Sequence, residues 1–219
     1  MKFGIAIPCY KYHIPVLKRC LDSIEQQTKK PDIVIVSCSS CVREDIPIYS
    51  YSFPLEILVC NEKKNAAENR NIAGNRLLEL DCSYIGFFDC DDEMHPQRIE
   101  YISNTFQFNP YIILHNYLMN SEILNPYKKY TILELEKNII SRAPTGCAWM
   151  INYPNEKLHH SQGTVKKEIF KMIKFREEKE FERKEDAIFC GDVLQKKNIN
   201  IYIKNPLSKY FPEGQTYNV

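Results

Sequence analysis

The chain has 219 residues, of which 44% are hydrophobic, and its 29 Lys plus Arg nearly cancel 28 Asp plus Glu to leave a formal net charge of +1. That balance provides no global field to steer the protein toward nucleic acid or an anionic membrane, so neither is expected as a partner. No apolar run approaches the roughly 20 residues needed to span a bilayer, and Met1-Lys2 leads directly into a strand-like run, so no secretory leader is expected.

Residues 3–8 form a short apolar run predicted as a strand. Ile14, Leu17, Leu21 and Ile24 then recur at the three-and-four spacing of an amphipathic helix. Residues 33–36 are β-branched throughout, which suits a buried parallel strand, and 55–59 predict another. Residues 65–80 read as a helix with Ile72, Leu77 and Leu78 toward the core, and 84–88 as a strand. Pro96 fits the first turn of the next helix, in which Ile99, Ile102 and Phe106 share a face. The second half is less regular. Residues 111–118 and 147–153 predict strands, 133–140 a short helix, 165–173 and 185–196 helices, and 199–203 a short final strand. Strand–helix alternation of this kind predicts a mostly parallel central sheet covered by helices on both faces, a three-layer α/β/α arrangement with right-handed crossovers. With no repeat or linker, the whole of 1–219 is expected to be a single domain.

Nine cysteines sit at positions 9, 20, 38, 41, 60, 82, 90, 147 and 190. The number is odd, and several fall inside predicted elements, where a free thiol packs as a small apolar group. Cys38 and Cys41 make a CxxC, but no second pair or nearby histidine completes a zinc site. A reducing, cytoplasmic setting is expected. Lysine-rich pieces at 166–167 and 171–174 alternate with apolar and acidic residues, as the solvated faces of helices do.

The densest chemical signal is the run Tyr84-Ile85-Gly86-Phe87-Phe88, which ends abruptly in Asp89-Cys90-Asp91-Asp92. Three like charges at the end of a buried strand repel one another, and a divalent cation with a phosphate-bearing ligand would neutralise them. In open α/β sheets, the carboxyl ends of strands are also where ligands bind. The alternative is a solvated acidic turn.

Four further segments accompany this cluster in order: Ile5-Ala6-Ile7-Pro8-Cys9-Tyr10; Asp32-Ile33-Val34-Ile35-Val36-Ser37; Asn65-Ala66-Ala67-Glu68-Asn69-Arg70-Asn71; and Gly163-Thr164-Val165 on to Phe175, followed by Glu185-Asp186. Over about residues 3–200 the set resembles family 2 glycosyltransferases. That resemblance implies a Rossmann-like glycosyltransferase A fold, with a nucleotide-sugar-binding half over about 1–95 and an acceptor-binding half over about 96–219. It implies that Asp89-Cys90-Asp91 is a DxD motif. Asp91 would bind Mn²⁺ or Mg²⁺ against the donor diphosphate, with Asp89 as a second ligand near the ribose. Asp92 would hold a metal-bound water or a sugar hydroxyl. A hard cation suits a nucleoside diphosphate leaving group, whose charge grows during transfer.

By the same resemblance Asp186, beside Glu185, is the general base that takes the acceptor hydroxyl's proton, with inversion at the anomeric carbon. Two acids at a helix start would otherwise simply complement its dipole. Pro8 and Tyr10 end the first strand, where the family forms part of its nucleotide pocket, and Ser37 ends the second. Arg70 would reach the base or diphosphate as a charge-assisted donor, or else pair on the surface with Glu68 or Glu79. A histidine of the second half is a further candidate metal or phosphate ligand, and His160 is taken as that residue. Adjacent strand residues point to opposite faces, so only one of His159 and His160 would face the site.

One departure stands out. Many members carry an acid after the second strand that contacts uracil, whereas here Ser37-Cys38-Ser39-Ser40 has none until Glu44. A UDP-sugar remains the expected donor, although selection of its base by a charged acceptor is lost. The expected activity is metal-dependent, inverting transfer of a sugar from a nucleotide-sugar to the hydroxyl of a glycan or other acceptor. A nucleotidyltransferase also uses metal-bound carboxylates, but it opens with a glycine-rich loop that Pro8-Cys9-Tyr10-Lys11 lacks. A phosphatase with Asp-x-Asp on its first core strand would not carry it as late as Asp89. A non-catalytic, degenerate nucleotide-sugar-binding domain stays open as the alternative.

Overall fold

The structure is a computed structural model that describes residues 1–135, 140–142, 149–152, 156–196 and 199–212. Along the chain run β1 (Phe3–Tyr10), α1 (Ile14–Glu25), β2 (Ile33–Ser39), β3 (Leu55–Cys60), α2 (Ala66–Glu79), β4 (Tyr84–Phe87), β5 (Glu93–Met94) and α3 (Arg98–Thr105). They are followed by β6 (Ile112–Met119), β7 (Ile132–Glu134), β8 (Ile140–Arg142), β9 (Trp149–Ile151), β10 (Thr164–Lys166), α4 (Lys167–Met172), α5 (Glu185–Leu194) and β11 (Asn200–Tyr210). Among the described residues, nine strands make one sheet in the order β3-β2-β1-β4-β10-β6-β11-β5, with β7 added on β11, while β8 and β9 pair with each other. The long ladders are parallel: β1 with β2 and with β4, β2 with β3, and β6 with β11. The antiparallel ladders of β10, β5 and β7 are two or three residue pairs each.

Period-two alternation sends the strands' side chains into two separate cores. Phe3, Ile5, Ile7, Val34, Val36 and Tyr84 face α1 and α3, meeting Leu17, Leu21, Ile24, Ile99 and Ile102. Ala6, Ile35, Ile85 and Phe87 face the opposite way, against Ala73 and Leu77 of α2, Phe170 of α4 and Phe189 of α5. The result is the expected three-layer arrangement. Small residues on the second face bring α2 close to the sheet. On α2 itself, Gly74 faces the Phe170 ring, where an added Cβ would lie 2.4 Å from the nearest ring carbon. No helix among the described residues is long and apolar enough to cross a membrane.

Four expectations need correction. The helix expected at 133–140 begins as strand β7, whose Ile132, Leu133 and Glu134 pair with Ile203, Tyr202 and Ile201. Its stretch 136–139 lies outside the described residues, as do 147, 148 and 153 of the strand expected at 147–153. Val165 is not helical: it lies in β10, inserted between β4 and β6 and paired with both Ile85 and Ile112. Its β-branched side chain suits that two-sided burial. The final strand does not stop at 203 but continues to Tyr210, passing Pro206 with shifts of register on either side of it. Proline has no N–H for the ladder, so it marks an irregularity here rather than an end. Finally, Ile72 is only half-buried, and the buried face of α2 is Ala67, Asn69, Arg70, Asn71, Ala73, Gly74 and Leu77. Three adjacent polar residues on a buried face are a cost that needs a purpose.

The close approach of α2 and α4 makes Gly74→Ala a test of this packing. Overpacking against the buried Phe170 ring should cost about 1–3 kcal/mol, read as a lower denaturant midpoint at unchanged m-value.

Candidate active site

A cleft of about 850 Å³ opens at the carboxyl ends of β1 and β4. The first half lines it with Pro8, Tyr10, Arg70, Asp89 and Asp91, and the second with His159, His160, Glu185, Asp186 and Tyr210. Strand β4 carries its apolar residues into the cores and delivers the acids just past its last ladder pair. Helix α2 starts at Asn65, whose side chain accepts the Glu68 N–H while the Glu68 carboxylate accepts the Asn65 N–H, at 2.9 and 2.7 Å. This reciprocal cap fixes the first turn and so the direction of Arg70.

Arg70 is buried and points inward, paired with neither Glu68 nor Glu79. Its Nη2 donates to Asp89 Oδ1 at 2.8 Å and its Nη1 to Glu185 Oε1 at 2.7 Å. Burial opposes its charge, but Asp89, Glu185 and Asp186 outweigh burial and raise its pKa above the ordinary value. Asp89 shows the converse: burial would raise its carboxyl, yet Arg70, His159 and the Ser161 hydroxyl hold it below the usual range. Ser161 donates to Asp89 Oδ2. The Glu185 oxygen turned away from Arg70 is buried and has no hydrogen-bond partner among the described residues.

The three acids of the cluster have separate surroundings. Asp92 is 1% exposed. Its Oδ2 accepts Gln162 Nε2 at 2.6 Å and its Oδ1 accepts the Phe211 N–H at 2.8 Å. Asp91 faces the cleft, and burial together with Asp89 and Asp92 pushes its carboxyl up to about 7. A carboxylate raised by that much is one a cation would restore to its charged form. The donor set is therefore chemically suited to a hard divalent ion, through the Asp91 carboxylate that faces the cleft, with Asp89, whose oxygens also serve Arg70 and Ser161, beside it. A second grouping exists: ligand atoms of Asp89, Asp92 and His159 lie within 4.8 Å of one another. The oxygens of Asp92 already serve Gln162 and Phe211, which makes Asp92 the bracket that holds this end of the cleft together.

Several placements differ from the sequence expectation. Ser37 does not reach the cleft wall: it lies on the α2 side of β2, 3% exposed, donating to Asn69 Oδ1 at 2.9 Å. The histidine that approaches the carboxylates is His159, with Nε2 at 3.4 Å from Asp92 Oδ2. Its ring is met edge-on by Tyr117 and Tyr210. His160 begins a 3-10 turn, which sends consecutive side chains apart, and it lines the cleft outside that cluster. Asp186 lies on the first turn of α5, accepting the Ala187 N–H at 2.7 Å. Burial raises its carboxyl, offset in part by Arg70.

Further residues at the site had no role assigned from the sequence. Asn69 bonds Ser37 and Ser39 on β2, and Asn71 bonds the backbone of Phe175 on both sides, through Phe175 N–H at 3.0 Å and its carbonyl at 2.8 Å. Arg19 donates to the Asp91 carbonyl and its guanidinium lies 3.6 Å over the Phe211 ring. The sequence clue to Asn69 and Asn71 was their position beside Arg70 on a face that otherwise packs. Nothing local marked Ser161, Gln162, Tyr210 or Phe211.

Comparison with known proteins fits this geometry. A family model described as Glycosyl transferase family 2 matches residues 4–171. The chain is 31% identical over 141 residues to an uncharacterized glycosyltransferase of Haemophilus influenzae, covering 63% of this chain and 46% of that relative. Among solved structures, S. aureus TarS 1–349 in complex with UDP is similar with a TM-score of 0.68 and 15% identity, over 97% of this chain and 62% of the other. The complex of the same protein with UDP-GlcNAc gives 0.70 and 16% identity, over 96% and 58%. Identity at this level speaks for the fold alone, the mixed α/β glycosyltransferase A arrangement. In each case the chain spans less than two thirds of the length of its relative. The family model, in contrast, covers well over half of the 219 residues, and this chain therefore belongs to glycosyl transferase family 2.

Proposed function

We propose that the chain transfers a sugar from a nucleotide-sugar, with a UDP-sugar as donor, to a hydroxyl of a glycan or similar acceptor. The observation that carries this reading is the meeting of Asp89 and Asp91 with Glu185 and Asp186 in one cleft, joined through Arg70. A structural neighbour in complex with UDP and with UDP-GlcNAc supports the choice of donor. The nucleotide half is taken as about 1–95 and the acceptor half as about 96–219 of one domain.

Asp91 and Asp89 would hold Mn²⁺ or Mg²⁺, with His160 at the cleft wall as a further candidate ligand or phosphate contact. When bound, the cation would supply positive charge against the departing diphosphate. Pro8 and Tyr10 form the wall at the end of β1 against which the base would rest. Asp186 would accept the proton from the acceptor hydroxyl as that oxygen attacks the anomeric carbon from the face opposite the leaving group, with inversion. A raised carboxyl suits this role, because a stronger base takes the proton more readily. Glu185 would set the position of Asp186 through its bond to Arg70, and Arg70 would hold the two halves of the site in register.

Three substitutions separate these roles. In Asp91→Asn the melting temperature should stop rising with UDP plus Mn²⁺, whereas the unsubstituted protein should respond to the pair; an equal rise in both would remove Asp91 from the metal site. Asp186→Asn should keep that response while slowing transfer about 10²–10⁴-fold, measured as sugar release from a UDP-sugar in the presence of acceptor. Arg70→Met leaves the half-buried Asp89 and the buried Glu185 without their partner. It should lose about 3–5 kcal/mol of folding stability in addition to nucleotide binding, a double loss that neither aspartate variant shares.

A further inference from the structure

Cys38 and Cys41 bring together two thiols that sugar transfer does not use. Cys38 is the penultimate residue of β2. The chain then turns at Ser40, whose φ of 58° lies in the left-handed region. The turn is anchored to the end of β3 and the residues after it: the Ser40 N–H donates to the Glu62 carbonyl at 3.0 Å and the Cys41 N–H to the Cys60 carbonyl at 3.3 Å. This geometry folds Cys41 back over its neighbour, and the two sulfurs lie 3.3 Å apart.

The pair is continuous with the cleft. Cys9 and Cys38 are register partners on adjacent parallel strands and point into the same core. The Cys9 thiol contacts those of both Cys38 and Cys90, and Cys9 and Cys90 both line the cleft. The four sulfurs form a row rather than a tetrahedron, because among the described residues the one group with three ligand atoms mutually within 4.8 Å is Asp89, Asp92 and His159. A row of thiols does not enclose a metal ion. A close pair at one end of it is arranged for disulfide formation.

We propose that Cys38 and Cys41 are a dithiol site for oxidation by peroxides, and that closing the disulfide shifts the Cys9 side of the cleft and weakens nucleotide binding. Hydrogen bonding with Cys9, and then with Cys41, outweighs burial to hold the Cys38 thiol below its ordinary pKa, whereas burial and Cys38 push Cys41 up to about 12. Cys38 is thus the attacking sulfur. Its thiolate attacks one peroxide oxygen, the O–O bond breaks, and the departing hydroxide takes up a proton as water. The Cys41 sulfur then attacks the resulting sulfenic acid. The S–S bond forms as the S–O bond breaks, and the hydroxyl leaves as water with the Cys41 proton. Two thiols are oxidised and one peroxide is reduced to two waters.

Both sulfurs are buried, so a small oxidant is required, entering past the exposed residues 42–45. Bond formation draws the Cys38 sulfur toward Cys41 and removes the contact that positions Cys9. The dithiol stands apart from the proposed transfer, and only its effect on nucleotide binding rests on that reading.

The test uses the full chain, reduced or treated with hydrogen peroxide, then unfolded, alkylated and mapped by peptide mass. Melting is followed in parallel with UDP plus Mn²⁺. The expected result is loss of two alkylatable thiols, a peptide carrying Cys38 and Cys41 that is lighter by two hydrogens, and recovery of both with dithiothreitol. The nucleotide-dependent rise in melting temperature should shrink on oxidation in the unsubstituted protein and not in Cys41→Ala or Cys38→Ser. Full alkylation of both residues after peroxide, or their conversion to sulfinic acids, would overturn the proposal. So would a mapped disulfide with an unchanged nucleotide response. A reduced protein that responds to no nucleotide would count against the donor reading alone, since the peptide map still decides the dithiol.

Discussion

Arg70 sits inside the protein between a carboxylate from the end of the central parallel strand and a carboxylate from the start of α5, two positions separated by almost half the chain. A buried cation of this kind is stable only if its counter-charges are held in hydrogen-bonding geometry, and the same holds for them. Satisfying it therefore brings the Asp89 cluster and the Glu185-Asp186 pair to the same cleft. The cap at Asn65 and Glu68, the polar face of α2 and the anchoring of the segment around Phe175 by Asn71 all serve to deliver that one guanidinium. The polar face of α2, costly in an ordinary packed helix, is accounted for by this task.

Charge in the cleft remains unbalanced after Arg70 has been paired. Asp91, Asp92 and Asp186 all have carboxyls raised above their ordinary range, in each case with burial as the first cause. This excess of negative potential is what the proposed cation would relieve, and with it the repulsion of a donor diphosphate. The Asp92 oxygens, like those of Asp89, are engaged within the protein. Asp92 ties Phe211, the residue after β11, to the acidic cluster, and Arg19 stacked on Phe211 reinforces that tie from α1. The end of β11 is thereby built into the cleft through Tyr210, which reaches the His159 ring.

Much of the architecture was legible because it rests on local pattern. The β-branched run of β2, the helical spacing of α1 and the abrupt end of the apolar run at Asp89 each reflect a periodicity or a charge step that needs no distant partner. Three of the four corrections share one origin. β7, β10 and the extension of β11 are held by pairing with strands distant in sequence, and short segments of two or three ladder pairs have no periodicity of their own to detect. At Pro206 the strand, expected to stop at 203, absorbs a shift of register instead.

The site divides in the same way. The sequence by itself determined the chemical types: acids at a strand end, an Arg-Asn pair on a helix, and two acids opening another helix, in an order that marks the family. Only the tertiary structure decided which of them meet. It turned Arg70 inward to join Asp89 and Glu185, took Ser37 off the cleft wall to serve Asn69, brought His159 rather than His160 to the carboxylates, and added Ser161, Gln162 and Tyr210. The reason is physical. A residue's chemistry is written in its side chain, but its partners are set by burial, by strand register and by the requirement that each buried charge be matched, and those are properties of the whole fold.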